Sequence, residues 1–253
     1  MNIAGIEIGP HLPTRFTAEI GNAHGGDLPR ALRLIDAAKE AGADFVKFQC
    51  FAPIELVALR GDGMAPDPWG DEGWTMLKLY EKAQTPFDWF GALVAHAKEV
   101  GIPWFSSVFG LESLALLNVL KCPAYKIAAL DSQSAMMVDI KNAIRNIGKP
   151  IIESRRPYQP SLLPLADLTL YCPEGYPQTD FELFRLRGGL LGFSYHGTDM
   201  GVPFTAAVAG ATMVEVHLQL ADEPSELESN VSLTEFQLAD LIEGVRAAEE
   251  WIL

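Results

Sequence analysis

The feature that most constrains this chain is a rhythm. Eight short apolar runs recur along its 253 residues, most followed by a stretch with helical periodicity. The runs are Phe16–Glu19, Phe45–Cys50, Pro103–Val108, Ala124–Ala129, Pro150–Ser154, Leu168–Cys172, Gly192–His196 and Met213–His217. Ala31 to Gly42 shows the helical pattern well, with Pro29 in its first turn and a glycine at its end. Strictly alternating strand and helix over about 250 residues predicts an α/β fold, a single-domain (β/α)₈ barrel spanning residues 1–253, with a doubly wound open sheet as the alternative. No G-x-G-x-x-G follows the first strand, which weakens the dinucleotide-binding form of that alternative.

Polar residues gather at one end of these runs. Glu19, Lys47 and Gln49, Ser106 and Ser107, Lys126, Ser154, Cys172, His196 and His217 stand at or near the C-terminal ends of strands one to eight. In a barrel these ends converge on one mouth, where catalysis takes place. Buried polar groups carry a desolvation cost, so their repeated placement at one end needs a chemical reason. The last two runs each finish in histidine, and a small-residue helix between them puts both imidazoles at one end of neighbouring parallel strands. That is a geometry suited to a metal.

Between the second and third strands, Ala52 to about Trp74 reads as a long irregular loop. Thr179-Asp-Phe-Glu182 reads as a capping box opening the helix after strand six, and Ser232-Leu-Thr-Glu235 caps the closing helix. Met1 to Pro10 reads as a short hairpin or plug. A net charge of −14 argues against nucleic acid and against an anionic membrane surface as partners, so an anionic substrate has to be met by a few locally placed cations. Cys50, Cys122 and Cys172 lack metal-type spacing and read as buried free thiols in a reducing cytoplasm. No signal peptide opens the chain, and no apolar run reaches about 18 residues, so a membrane span is not expected.

Ala18-Glu-Ile-Gly-Asn-Ala-His-Gly-Gly, Gly42-Ala-Asp-Phe-Val-Lys-Phe-Gln, Ala124-Tyr-Lys-Ile-Ala, Tyr176-Pro and the Ser194-Tyr-His…Glu215-Val-His pair together resemble the sialic acid synthase (N-acetylneuraminate synthase) family. The resemblance runs through nearly the whole chain in order. It implies a (β/α)₈ barrel that condenses phosphoenolpyruvate with the open-chain aldehyde of an N-acylated amino sugar, giving a 2-keto acid and phosphate. It implies a divalent metal on His196 and His217, manganese first, with magnesium or cobalt as alternatives. Lys47, Ser107, Lys126, Ser154 and Ser194 match positions that hold the phosphate and carboxylate, Glu19 and Asp131 match acidic positions at the reacting centre, and Gln49 and Asn22 are polar contacts to the sugar. The chemistry suits these types: a metal stabilises the charge that builds on the aldehyde oxygen, lysines and hydroxyls suit a doubly anionic substrate, and an acid must accept a proton from water.

Several positions depart from the family pattern. Asp131 stands where glutamate is usual, and Ala129 replaces a serine. Tyr195 precedes the first histidine in place of aspartate, Glu174 stands where Asn or Ser is frequent, and Glu228 falls where an aspartate is usual. These changes touch the sugar side more than the metal. Members commonly append an antifreeze-like domain that donates an arginine, whereas this chain ends at Leu253 after the barrel. Arg155 and Arg156, in place of a small-residue turn after strand five, are the residues expected to supply that positive charge. Barrels of the family commonly pair, which leaves a homodimer open. Simpler readings stand beside these: Asp131 as a helix cap, the arginines as solvated loop charges, and the serines as partners of backbone groups. An aldolase on another carbonyl compound and a non-catalytic sugar-acid-binding paralogue are the competing functions.

Overall fold

The computed structural model describes residues 1–160, 162–189 and 191–251. Eight parallel strands form the frame: β1 (Arg15–Glu19), β2 (Phe45–Cys50), β3 (Trp104–Val108), β4 (Tyr125–Ile127), β5 (Ile151–Arg155), β6 (Leu168–Tyr171), β7 (Gly192–Tyr195) and β8 (Met213–Gln219). Each pairs with the next, and β8 pairs with both β7 and β1, so the sheet closes on itself. Closure rules out the open doubly wound sheet. Nearly every strand residue is buried, as both faces of a helix-covered parallel sheet require. The helices are α1 (Leu28–Glu40), α2 (Pro53–Arg60), α3 (Met76–Ala83), α4 (Phe90–Val100), α5 (Leu111–Val119), α6 (Ala135–Asn146), α7 (Gly201–Val208) and α8 (Glu235–Glu249). None in the described residues is long and apolar enough to cross a membrane.

The first ten residues form the expected hairpin. Asn2–Ile3 pairs antiparallel with Ile6–Glu7 through a turn at Ala4 and Gly5, both at positive φ. Ile3 and Ile8 enter the core, and Arg15 Nε donates to Glu7 O (3.0 Å) at the start of β1. The hairpin therefore covers the N-terminal end of the barrel, and the opposite end is the mouth.

Two local expectations change. The stretch after β2 contains a helix, α2, because Pro53 can occupy a first helical turn and the Glu55 carboxylate accepts from Ala52 N (3.0 Å). The same carboxylate accepts from Glu112 N (2.8 Å) and Ser113 N (3.1 Å), so it caps α5 as well. Leu56 packs with Phe51, Tyr80 and Phe109 in a second small core above β2. Among the described residues between β6 and β7, a 3₁₀ turn over Leu183–Leu186 stands in place of the expected helix, because Glu182 engages Arg185 and the Tyr158 hydroxyl and not a helix start. At the C-terminal end, Ser232–Thr234 adds a short parallel strand to β8, and Thr234 Oγ1 caps α8 by accepting from Gln237 N (3.3 Å).

Candidate functional site

The strand register assembles the mouth. Glu19 on β1 lies opposite both Lys47 on β2 and His217 on β8, Ser107 on β3 lies opposite Gln49 and Lys126, and Ser194 on β7 lies opposite Glu215 on β8. Alternation along each strand then decides which side chains share the interior.

At the floor of the mouth, four charges are almost wholly buried: Glu19, Lys47, Lys126 and Glu215. Lys47 Nζ pairs with Glu19, donates to Ser107 Oγ (3.1 Å) and lies 3.8 Å from Glu215 Oε1. Lys126 Nζ donates to Glu215 Oε1, and Ser194 Oγ donates to the same oxygen (3.1 Å). Glu19 Oε1 accepts from Gly21 N (2.8 Å). Burial alone would raise the Glu215 carboxyl, but Lys126 and Lys47 outweigh it and hold the group down at about 2. Burial lowers Lys126 against the pull of Glu215, while at Lys47 the two glutamates outweigh burial and raise the ammonium. Ser154 Oγ and Glu215 Oε2 are among the buried polar atoms here without a hydrogen-bond partner in the protein. An interior that leaves donors and acceptors unspent beside two lysines is suited to a polar ligand.

Above this floor, His196 and His217 face each other with ring centroids 5.1 Å apart. Tyr176 lies over both, its ring 5.2 Å from His196 and 6.1 Å from His217, and its hydroxyl donates to Glu228 Oε1 (2.6 Å). Glu228 Oε2 accepts from Asn22 N (3.3 Å) and lies 3.3 Å from His217 Nδ1. Gly21 makes that approach possible: it has φ +53°, and a Cβ there would stand 2.5 Å from Glu228 Oε2. Burial would lower His217, but the Glu228 carboxylate outweighs it and raises the imidazole. Burial likewise opposes ionisation of Glu228, and His217 with the Tyr176 hydroxyl holds it at about 2. His196 has no acidic partner of this kind; burial, with His217 and Lys126 adding to it, pushes it down to about 3, so it is neutral.

The family resemblance implies a divalent metal on these two rings, and the donor set fits it only in part. His217 fits: with Nδ1–H donated to Glu228, its Nε2 carries a free lone pair. His196 does not, because its Nδ1 lies 3.1 Å from the Gln178 Nε2 amide, itself a donor. Among the described residues, no group of three or more His, Cys, Asp or Glu side chains is placed to hold a metal ion.

The remaining sequence-predicted residues fall into two groups. Gln49 stays at the mouth on β2, and Asn22 stands at the end of β1, where its Oδ1 accepts from Ser225 Oγ (3.2 Å). Asp131 is buried after β4 but engaged: Arg60 from α2 donates to both its oxygens (2.8 and 2.7 Å). Arg155 is not turned into the mouth. It follows inward-facing Ser154, so the pleat sends it to the outer side, where Nη2 donates to Thr169 Oγ1 (2.8 Å) and Nε lies 3.5 Å from Glu153. Arg156 pairs with exposed Glu174 (3.2 Å) at the rim. Tyr195 also faces outward, stacked on Phe193. The structure adds Gln178 and Arg60 to the site and gives a contact there to Glu215 and Tyr176, which the resemblance carried without a role, and to Glu228, noted as a departure. Glu215 precedes His217 by two residues, so strand alternation was a signal for it; no comparable signal marks Gln178 or Arg60.

The chain is similar to known proteins in sequence and in fold. The NeuB family profile matches residues 34–155 and 182–252. The pseudaminic acid synthase of Helicobacter pylori is 29% identical over 258 residues, covering 92% of this chain and 74% of that protein. The human N-acetylneuraminate-9-phosphate synthase is 26% identical over 269 residues, covering 96% and 72% respectively. The solved N-acetylneuraminic acid synthetase of Leptospira borgpetersenii superposes with a TM-score of 0.81 at 22% identity, over 100% of this chain and 89% of that one, which shows a common barrel fold. The first matched segment carries Lys47, Lys126 and Ser154 and the second carries both histidines, and on that footing the chain belongs to the NeuB family.

Proposed function

We propose that this barrel joins phosphoenolpyruvate to the open-chain aldehyde of an N-acylated amino sugar, releasing phosphate and a 2-keto acid. The observation that carries the proposal is the floor of the mouth: two buried lysines flanked by Ser107, Ser194 and an unpartnered Ser154 hydroxyl. Lysine ammonium groups and hydroxyls together complement a small anion bearing both phosphate and carboxylate. The relatives named above are synthases of pseudaminic acid and of N-acetylneuraminate 9-phosphate, which supports an amino-sugar aldehyde as the second substrate.

The steps follow from the chemistry. Carbon 3 of the enol attacks the aldehyde carbon, and the aldehyde oxygen takes up a proton. Water adds to the carbocationic carbon 2, giving up a proton, and the resulting tetrahedral centre expels phosphate to leave the ketone. Glu19, paired with Lys47, accepts the proton from water. His196 and His217 face the aldehyde side, with Glu228 orienting His217 and Asn22 and Gln49 at the rim for the sugar hydroxyls. The charges of the floor cancel, so the substrate anion takes Lys126 over from Glu215. A divalent metal, where bound, would sit at His217 and supply Lewis acidity toward the carbonyl oxygen.

The test is phosphate release from phosphoenolpyruvate with and without N-acylated amino sugars. Release that requires the sugar and is lost in Lys126→Met supports the proposal. Pyruvate formed from a keto acid with no phosphate chemistry would overturn it in favour of an aldolase, and binding without turnover would favour a non-catalytic paralogue.

A further inference from the structure

We propose that Gln178 locks His196 into the tautomer with the proton on Nε2, so that His196 serves the site as a hydrogen-bond donor and not as a metal ligand. The Gln178 amide cannot be read the other way round. Its Oε1 accepts from His196 N (3.0 Å), and its Nε2 donates to Pro173 O (2.9 Å), with Ser194 O at 3.4 Å. Exchanging oxygen and nitrogen would set two N–H groups against each other at His196 N and two oxygens against each other at Pro173. With the amide pinned and one N–H on Pro173 O, His196 Nδ1 at 3.1 Å is the nearest acceptor for the other, ahead of Ser194 O (3.4 Å) and Cys172 Sγ (3.5 Å), and it can accept only through a lone pair. The single ring proton of the neutral imidazole is then on Nε2.

Ligation through Nε2 would need the opposite tautomer. The proton would move to Nδ1 and confront the Gln178 amide hydrogen, or Gln178 would surrender its bonds to His196 N and Pro173 O. Metal-ligating histidines ordinarily hand their second nitrogen's proton to an acceptor, as His217 does to Glu228; at His196 the near neighbour is the Gln178 donor at 3.1 Å, with the weakly accepting Cys172 sulfur farther off at 3.9 Å. The two rings 5.1 Å apart are therefore a mixed pair: one presents a lone pair, the other an N–H. A neutral imidazole N–H stabilises an oxygen that gains negative charge without itself losing a proton. The identity of that oxygen, the aldehyde's, rests on the synthase reading; the tautomer does not.

Long-range ¹H–¹⁵N spectra of the ¹⁵N-histidine-labelled protein decide it, since the two neutral tautomers give different nitrogen shifts. The expected result is a protonated Nε2 and an unprotonated Nδ1 for His196, assigned by its loss in His196→Gln; a protonated Nδ1 would overturn the proposal. Mn²⁺ titration followed by electron paramagnetic resonance gives a second readout. Gln178→Met, which removes the amide donor from Nδ1 without setting an oxygen against Pro173 O, is expected to bind Mn²⁺ at least about tenfold more tightly than the unmodified protein. Tight stoichiometric Mn²⁺ binding by the unmodified protein, with no gain in Gln178→Met, would contradict it. Neither measurement depends on turnover, so a failed synthase assay leaves both informative.

Discussion

Lys126 on β4 and Glu215 on β8 meet across the full width of the barrel, and Lys47 and Ser194 converge on the same carboxylate. Because those lysines, ahead of His196, keep Glu215 low against its burial, an anion that claims them lets its proton affinity climb. Phosphoenolpyruvate binding is thus expected to take up a proton and to strengthen as pH falls toward 6. Calorimetry in buffers of different ionisation enthalpy should show the uptake, and Glu215→Gln should abolish it. Binding with no proton exchange in the unmodified protein would contradict the exchange of partners at Lys126.

Ser154 and Ser194 differ in what they already touch. Ser154 Oγ has no protein partner, whereas Ser194 Oγ donates to Glu215. Ser154→Ala is expected to change unfolding free energy by no more than about 0.5 kcal/mol, while raising KM for phosphoenolpyruvate several-fold. Ser194→Ala, which strips a donor from a buried carboxylate, should cost about 1–3 kcal/mol of stability. Denaturant titration of both variants, with kinetics on Ser154→Ala, checks the contrast.

Arg60 holds α2 over the mouth through its two bonds to Asp131, with its guanidinium 5.5 Å from the Phe109 ring. Arg60→Met leaves a buried carboxylate without its counter-charge and is expected to cost about 3 kcal/mol, with Arg60→Lys recovering part of the loss. Equal stability of the two variants would show that the paired fork is not what fastens the helix.

His24, from the loop after β1, accepts from Gly26 N at Nδ1 (3.1 Å), lies 3.1 Å from Thr85 Oγ1 at Nε2 and meets the edge of Trp89. Burial depresses it from 6.5 to about 4, with Arg30 adding to the effect against Glu228. The unfolded chain binds the extra proton between those values, so this contribution is present above pH 6.5 and lost as pH falls through 4, amounting to about 3 kcal/mol. Unfolding free energies measured from pH 7 to 4 should fall more steeply for the unmodified protein than for His24→Gln.

Much of this was legible in the residues. Apolar runs alternating with helical stretches, and polar residues gathered at one end of those runs, identify the strands and put Glu19, Lys47, Lys126 and the histidines at a common mouth. Arg155 was expected there too; the pleat of β5 instead turns Ser154 inward and Arg155 outward. What stayed hidden depends on closure and on loops. Lys126 and Glu215 are 89 residues apart and meet only because the sheet curls through eight strands. Helix α2 lay inside a Pro- and Gly-rich stretch, and its anchor Arg60 finds Asp131 from 71 positions away. Gln178 acts through side-chain contacts to His196, Pro173, Ser194 and Cys172, which no sequence pattern announces.

The most direct test of the synthase reading follows the bridging oxygen of phosphoenolpyruvate. With ¹⁸O at that position and an accepted N-acylated amino sugar present, water attack at carbon 2 and expulsion of phosphate should carry the label into phosphate, in step with formation of the 2-keto acid. Label retained in pyruvate, or phosphate released at the same rate without the sugar, would contradict it.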